Sequence, residues 1–121
     1  MGFFSQLFNR PPKPGKPRPV TDETFEQDVL ASDLPVVVDF SSRRCPPCQV
    51  MKGLLEEIGP DYVGRVNIFQ MDVDENRETA MEFRIMSVPT LIFFKKGRPR
   101  DTIRGLIPLH PLRQKFDRLA R

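Results

Sequence analysis

One histidine, two cysteines and no tryptophan are found among the 121 residues of this chain. A structural zinc site takes four ligands, usually as two Cys/His pairs. One CxxC with His110 far downstream offers no second pair. No apolar run approaches the ~20 residues that cross a bilayer. The opening MGFFSQLFNR lacks the basic start, long apolar stretch and small-residue cleavage site of a secretory signal. Gln6 stands where N-myristoylation requires Ser or Thr. These absences lead us to expect a cytoplasmic, reducing setting. Two cysteines there serve catalysis or metal binding more often than a permanent staple. There are no repeats and no nucleic-acid motif, so no nucleic-acid partner is expected.

The composition is that of a globular protein, 39% apolar and 29% charged. The net charge of +3 is unevenly placed. Arg10, Lys13, Lys16 and Arg18 stand in residues 1–20 without an acid, leaving 15 basic and 16 acidic side chains for the remainder. The excess positive charge therefore belongs to the start of the chain and does not imply a basic binding face.

Five prolines in PPKPGKPRP, residues 11–19, disfavour helix and predict an extended, solvated linker. Ahead of it, Phe3, Phe4, Leu7 and Phe8 share one face of a short helix. Two readings of that face stay open: a frayed tail, or a peptide making weak contact with a membrane interface or a partner groove through residues 3–8. The division expected is a tail over 1–20 and one domain over 21–121, monomeric.

From Thr21 the texture changes. TDETFEQDVLASD reads as a helix burying Phe25, Val29 and Leu30. VVVDF (36–40) is the apolar run of a central parallel strand. CPPCQVMKGLLEEI (45–58) reads as a helix with Val50, Leu54, Leu55 and Ile58 inward and a bend or close packing point at Gly53. A strand over 66–73, a helix over 75–85 with Ala80, Met81 and Phe83 inward, and a strand over 90–94 follow. Lys96-Gly97 is a turn into a returning antiparallel strand over 100–105. The last helix is expected to use His110 as N-cap and Pro111 as its first residue. This order predicts an α/β fold with a mixed sheet and helices on both faces.

Cys45 and Cys48 fall where the first central strand meets the next helix. The carboxyl ends of parallel strands are where α/β folds place their sites. Unpaired N–H groups and the helix dipole there favour a thiolate at Cys45, aided by Arg43 and Arg44 if these lean towards the sulfur. Cys48, one turn inward, is placed to attack a mixed disulfide on Cys45. A structural disulfide closing so small a ring removes little chain entropy, so a redox centre is the favoured reading. Asp39, inside VVVDF, is costly to bury as a carboxylate, and burial raises its pKa; the alternative is a strand-end Asp turned to water.

TDETFEQDVL, VVVDF, CPPC, MDVDEN, VPTLIFFKKG and Gly105, in that order, resemble the thioredoxin family from about Thr21 to Leu119. The resemblance implies the thioredoxin fold and a thiol–disulfide oxidoreductase with no bound cofactor beyond the redox-active Cys45–Cys48 disulfide, and no metal. It makes Cys45 the nucleophile, Cys48 the resolving thiol, Asp39 a buried acid/base serving Cys48, and Pro89 a cis-proline facing the dithiol. Val88 would pair its backbone with substrate, Gly105 and Leu106 would form the opposite lip, and Arg44, Pro46 and Pro47 would complete the groove. Partners implied are protein disulfides and an external reductase, such as thioredoxin reductase with NADPH. An adaptor module, or a membrane-tethered carrier dedicated to one partner, is the alternative.

Departures from the family pattern are specific. Ser41 and Arg44 replace the usual tryptophans, so the rim should be smaller and more cationic. Gln70 stands where a lysine commonly neighbours the buried acid, and Gly53 replaces a kinking proline. Pro46 and Pro47 leave the Cys48 amide as the donor within CPPC. PRPV supplies few N–H groups, so the first edge strand is expected to be eroded.

Overall fold

A computed structural model describes residues 14–121. The five strands β1 (Arg18–Pro19), β2 (Val36–Ser41), β3 (Asn67–Asp72), β4 (Thr90–Lys95) and β5 (Arg98–Arg104) form one sheet in the order β1-β3-β2-β4-β5. The first three run parallel, and β4 and β5 are antiparallel to their neighbours. Around the sheet lie α1 (Glu26–Leu30), α2 (Pro46–Ile58), α3 (Arg77–Glu82) and α4 (Leu109–Leu119). This is the mixed, doubly covered sheet expected.

Strand alternation sorts the core into two halves. Val37, Leu91, Phe93 and Ile103 share one half with Met51, Leu55 and Ile58 of α2 and Leu112 and Phe116 of α4. Val36, Val38, Phe40, Ile92 and Phe94 share the other with Phe25 and Val29. Phe83 joins the second half through edge contacts, its ring centroid 5.4 Å from those of both Phe25 and Phe94. Asp39 has the parity of Val37, which points it to the α2 side of the sheet.

Several local expectations are corrected. The first helix is only five residues wound in a wide turn, with the Ala31 N–H reaching the Glu26 carbonyl at 2.8 Å. In α2 the inward stripe is Cys48, Met51, Leu55 and Ile58. Val50 lies two residues past Cys48, about 200° round the helix, and is exposed, while Leu54 is half-buried. Gly53 is exposed with nothing packed near it, so it is no close packing point. In α3, Ala80 faces inward and Met81, expected buried, is 76% exposed. The final helix begins at Leu109 after Pro108, one residue before the expected cap.

The edge strand survives in shortened form. Arg18–Pro19 pairs with Phe69–Gln70, and the Val20 N–H donates to the Gln70 carbonyl at 3.0 Å. A proline is accepted on an edge because its missing N–H can face solvent. The solvated linker expected over residues 11–19 is not seen over residues 14–19, which lie on the domain. Gly15 rests so closely on Gly59 that a Cβ on either would collide with the other's backbone, and Val20 is buried in the core. Residues 1–13, with Phe3, Phe4, Leu7, Phe8 and the start of the proline segment, lie outside the described residues.

Asp22 joins this end of the chain to α3. Its carboxylate accepts from the N–H groups of Thr79 (2.9 Å) and Glu78 (3.3 Å), capping the helix from outside. Its own N–H donates to Asn76 Oδ1 at 2.8 Å, while Asn76 Nδ2 donates to the Asp72 carbonyl at 3.0 Å. Burial pulls the Asp22 pKa upward, but the hydrogen bonds from Thr79 and Glu78 outweigh it and hold it below 3.8. Its stabilisation is therefore present above the unfolded pKa and lost as pH falls through the lower folded one. Asp22→Ala is expected to cost about 1 kcal/mol at neutral pH. Urea titrations across pH should show that difference shrinking towards pH 2; a pH-independent cost would mean that the charge plays no part.

Candidate active site at the start of α2

Cys45 is the N-cap of α2, with extended backbone (φ −134°, ψ 98°), and Pro46 and Pro47 open the helix. Proline suits these first positions, where no N–H is needed. Cys45 and Cys48 are joined as a disulfide, Cα to Cα 5.2 Å. The Cys48 N–H points at Cys45 Sγ from 3.2 Å. Neither intervening proline carries an amide hydrogen, as the sequence implied. Cys45 is 9% exposed and Cys48 2%, so the outer sulfur is the more accessible of the two.

The Val88–Pro89 peptide bond is cis, and the Val88 carbonyl oxygen lies 4.0 Å from Cys45 Sγ. The Gly105 N–H donates to the Pro89 carbonyl at 2.8 Å, from a backbone with φ +83° that glycine adopts without cost. Leu106 follows, exposed. The Val88 carbonyl thus lies beside the outer sulfur and Gly105 is joined to Pro89, although all three are far from CPPC in sequence. Pro46, Pro47 and Arg44 are exposed on the helix side.

Asp39 has no solvent exposure, and neither carboxylate oxygen has a hydrogen-bond partner. Burial alone pushes its pKa up to about 7. The water-facing alternative for this residue is overturned. Its partner in register on β3 is Gln70, so that position supplies no charge to oppose the shift.

Arg43 does not lean towards the sulfur. Its guanidinium lies 2.7 Å from Glu75 and 3.5 Å from Asp72, tying the loop ahead of Cys45 to the end of β3 and the turn beyond. Arg44 forms no ion pair among the described residues. No group of three or more His, Cys, Asp or Glu is placed to hold a metal ion among the described residues.

Sequence reasoning missed an apolar surface beside α3. A hollow of about 630 Å³ is lined by Val73, Ala80, Met81, Ile85 and Met86, with Arg77 and Arg84 at its edge. Met86 is 90% exposed. Its signal was available: Met86 stands two residues before Val88, where an exposed apolar residue has no core to serve. Arg44 is exposed on the helix side of the cysteines, and the hollow beside α3 is largely apolar.

The family model described as Thioredoxin matches residues 16–118. The chain is 45% identical to a thioredoxin of Rickettsia bellii over 87 residues, covering 72% of this chain and 83% of that one. It is 39% identical to thioredoxin 1 of a Nostoc species over 99 residues, covering 82% and 92%. A Synechocystis thioredoxin is 42% identical over 89 residues, covering 74% and 83%.

Proposed function

The chain belongs to the thioredoxin family and is a thiol–disulfide oxidoreductase, and we propose that it reduces protein disulfides with Cys45 as nucleophile and Cys48 as resolving thiol. The observation that carries these roles is the pairing of a slightly exposed Cys45 with an almost wholly covered Cys48, with a buried, unpartnered Asp39 on the same α2 side of the sheet.

In the reduced protein, the α2 N-terminus and the Cys48 amide favour the Cys45 thiolate. That thiolate attacks one sulfur of the substrate disulfide, forming the Cys45–substrate bond and expelling the other substrate sulfur as a thiolate, which takes a proton from water. Asp39, as carboxylate, accepts the Cys48 proton. The Cys48 sulfur then attacks the Cys45 sulfur, forming the internal disulfide, breaking the Cys45–substrate bond and expelling the second substrate sulfur as a thiolate, which takes up the proton that Asp39 gives back. Two electrons pass from the protein to the substrate, and the proton that Cys45 lost to water on ionising balances the one taken from water by the first leaving thiolate. Val88 offers its backbone to the substrate chain, Gly105 and Leu106 the opposite lip, and Arg44, Pro46 and Pro47 the helix side. The electrons return from an external reductase, for which thioredoxin reductase with NADPH is the proposed source.

Insulin reduction followed by turbidity tests this reading. Dithiothreitol with catalytic amounts of the protein is expected to precipitate insulin well ahead of dithiothreitol alone; equal lag times would sink the proposal. Replacing dithiothreitol by thioredoxin reductase and NADPH then tests the electron source, and failure of that step alone would assign a different reductase.

No helix among the described residues is long and apolar enough to cross a membrane. A cytoplasmic setting, a tail ahead of one redox domain, and peripheral contact through residues 3–8 stand as parts of the proposal.

A further inference from the structure

A second concentration of charge lies at the other end of the molecule from the disulfide. β4 starts at Thr90, next to Pro89, and ends at Lys95; β5 returns from Arg98. Lys95 and Lys96 therefore stand at the end of the sheet away from Cys45. There Lys95, Lys96, Arg100, Lys115 and Arg118 surround a hollow of about 560 Å³ with a single acid, Asp101. Its floor is apolar and closed, formed by the buried side chains of Phe93 and Leu119.

The acid is already used. Lys115 Nζ lies 2.5 Å from one Asp101 oxygen, and the Thr102 N–H donates to the other at 2.8 Å. Lys95 Nζ donates to the Arg121 carbonyl oxygen at 2.5 Å. Lys96, Arg100 and Arg118 form no ion pair among the described residues. In a domain whose charges otherwise nearly balance, gathering these cations around one hollow raises the local positive potential and favours entry of an anion.

Lys96 adds an independent observation. It sits at φ +53°, the first central residue of the tight turn joining β4 to β5. Asn, Asp and Gly suit that backbone, and a lysine there carries a conformational cost. A cation thus stands at a position whose backbone favours other residues, on the rim of a hollow of positive potential.

Two guanidinium forks, Arg100 from β5 and Arg118 from α4, line the hollow with three lysines. Planar forks combined with ammonium groups match a compact, multiply charged oxyanion, and phosphate above all. The closed floor leaves no aromatic face on which a nucleobase could stack. We propose that this basal hollow binds phosphate groups, either of a polyphosphate solute or of anionic phospholipid headgroups. The site is separate from the dithiol, so occupancy leaves the reducing end open. Gly15 also lies at this end, against Gly59 beyond the last turn of α2. A surface held here would therefore meet the start of the described chain and face away from Cys45.

The full-length protein is titrated with tripolyphosphate by calorimetry, and separately sedimented with vesicles of phosphatidylcholine with and without phosphatidylglycerol. The parent is expected to bind at least one probe saturably. The double variant Arg100→Gln/Arg118→Gln should bind it about tenfold or more weakly, a loss near 1.4 kcal/mol. Lys52→Gln/Arg77→Gln, which removes the same charge elsewhere, should bind like the parent. Lys96→Asn, chosen because asparagine suits the turn, should fold at least as well as the parent and bind several-fold more weakly. Insulin reduction by the pocket variants should match the parent. Tripolyphosphate binding assigns the solute, and phosphatidylglycerol-dependent sedimentation assigns the lipid. Absence of saturable binding to either probe, or equal weakening in the two double variants, overturns the proposal.

Discussion

Cys45→Ser is expected to lose insulin reduction by about three orders of magnitude or more, down to the background of dithiothreitol alone. A serine hydroxyl at the helix start cannot ionise to a nucleophile at neutral pH and cannot form a mixed disulfide. Cys48→Ser should fail differently. Its outer sulfur is intact and still attacks, but no second sulfur waits beneath to release the product. A substrate treated with Cys48→Ser should remain covalently attached, visible as a mass adduct on a non-reducing gel and cleaved by added thiol. Cys45→Ser should give no adduct. The asymmetry follows from position: Cys45 caps α2 beside the Val88 carbonyl, while Cys48 is almost wholly covered. Adducts on Cys45→Ser and none on Cys48→Ser would exchange the two roles.

Asp39→Asn is expected to stabilise the protein at alkaline pH while slowing it as a catalyst. The acid has a folded pKa of about 7 against an ordinary 3.8, raised by burial. For a group so raised, stability is fully present below pH 3.8 and is lost as pH rises through about 7. Ionisation of the buried carboxyl then costs the fold up to about 4 kcal/mol. Asparagine has nearly the same shape and never ionises. Urea midpoints should therefore be similar at pH 4 and diverge in favour of the variant by pH 8. A constant difference at all pH values would mean that the carboxyl does not titrate in the fold as described. The catalytic half has its own readout. Resolution of the mixed disulfide in the parent should quicken as pH passes 7, where Asp39 becomes a base, and Asp39→Asn should slow that step roughly 10²-fold and flatten the profile. Unchanged resolution would reduce Asp39 to a destabilising bystander.

How much of this was legible in the sequence depended on whether local chemistry or distant partners decided the outcome. VVVDF and TLIFF could be read because β-branched and aromatic runs of that length suit a buried strand; which side of the sheet Asp39 faces came only with the structure. CPPC could be placed because proline fits only the opening of a helix. Pro89 and Gly105 came from resemblance; nothing local brings them to Cys45. The errors have physical causes. Val50 was read inward because the stripe was counted from apolar side chains alone, whereas Cys48 behaves as a small buried apolar residue and sets the face. Met81 sits in a helix of six residues, too short for periodicity to choose a side. The prolines of residues 14–19 suggested solvent, yet an edge position tolerates them. The partners of Arg43 lie 29 and 32 residues downstream, beyond any local pattern.

Asp72 is held by its side chain to Arg43 and to the Asp74 N–H, and by its carbonyl to Asn76, which in turn grips the segment that caps α3. One short turn after β3 therefore carries two duties: aiming the loop that presents the nucleophile and keeping a helix wound. A substitution at Asp72 or Asn76 is therefore expected to be felt at both places at once, whereas Arg44 and Met86, exposed and outside this turn, can be changed without disturbing it.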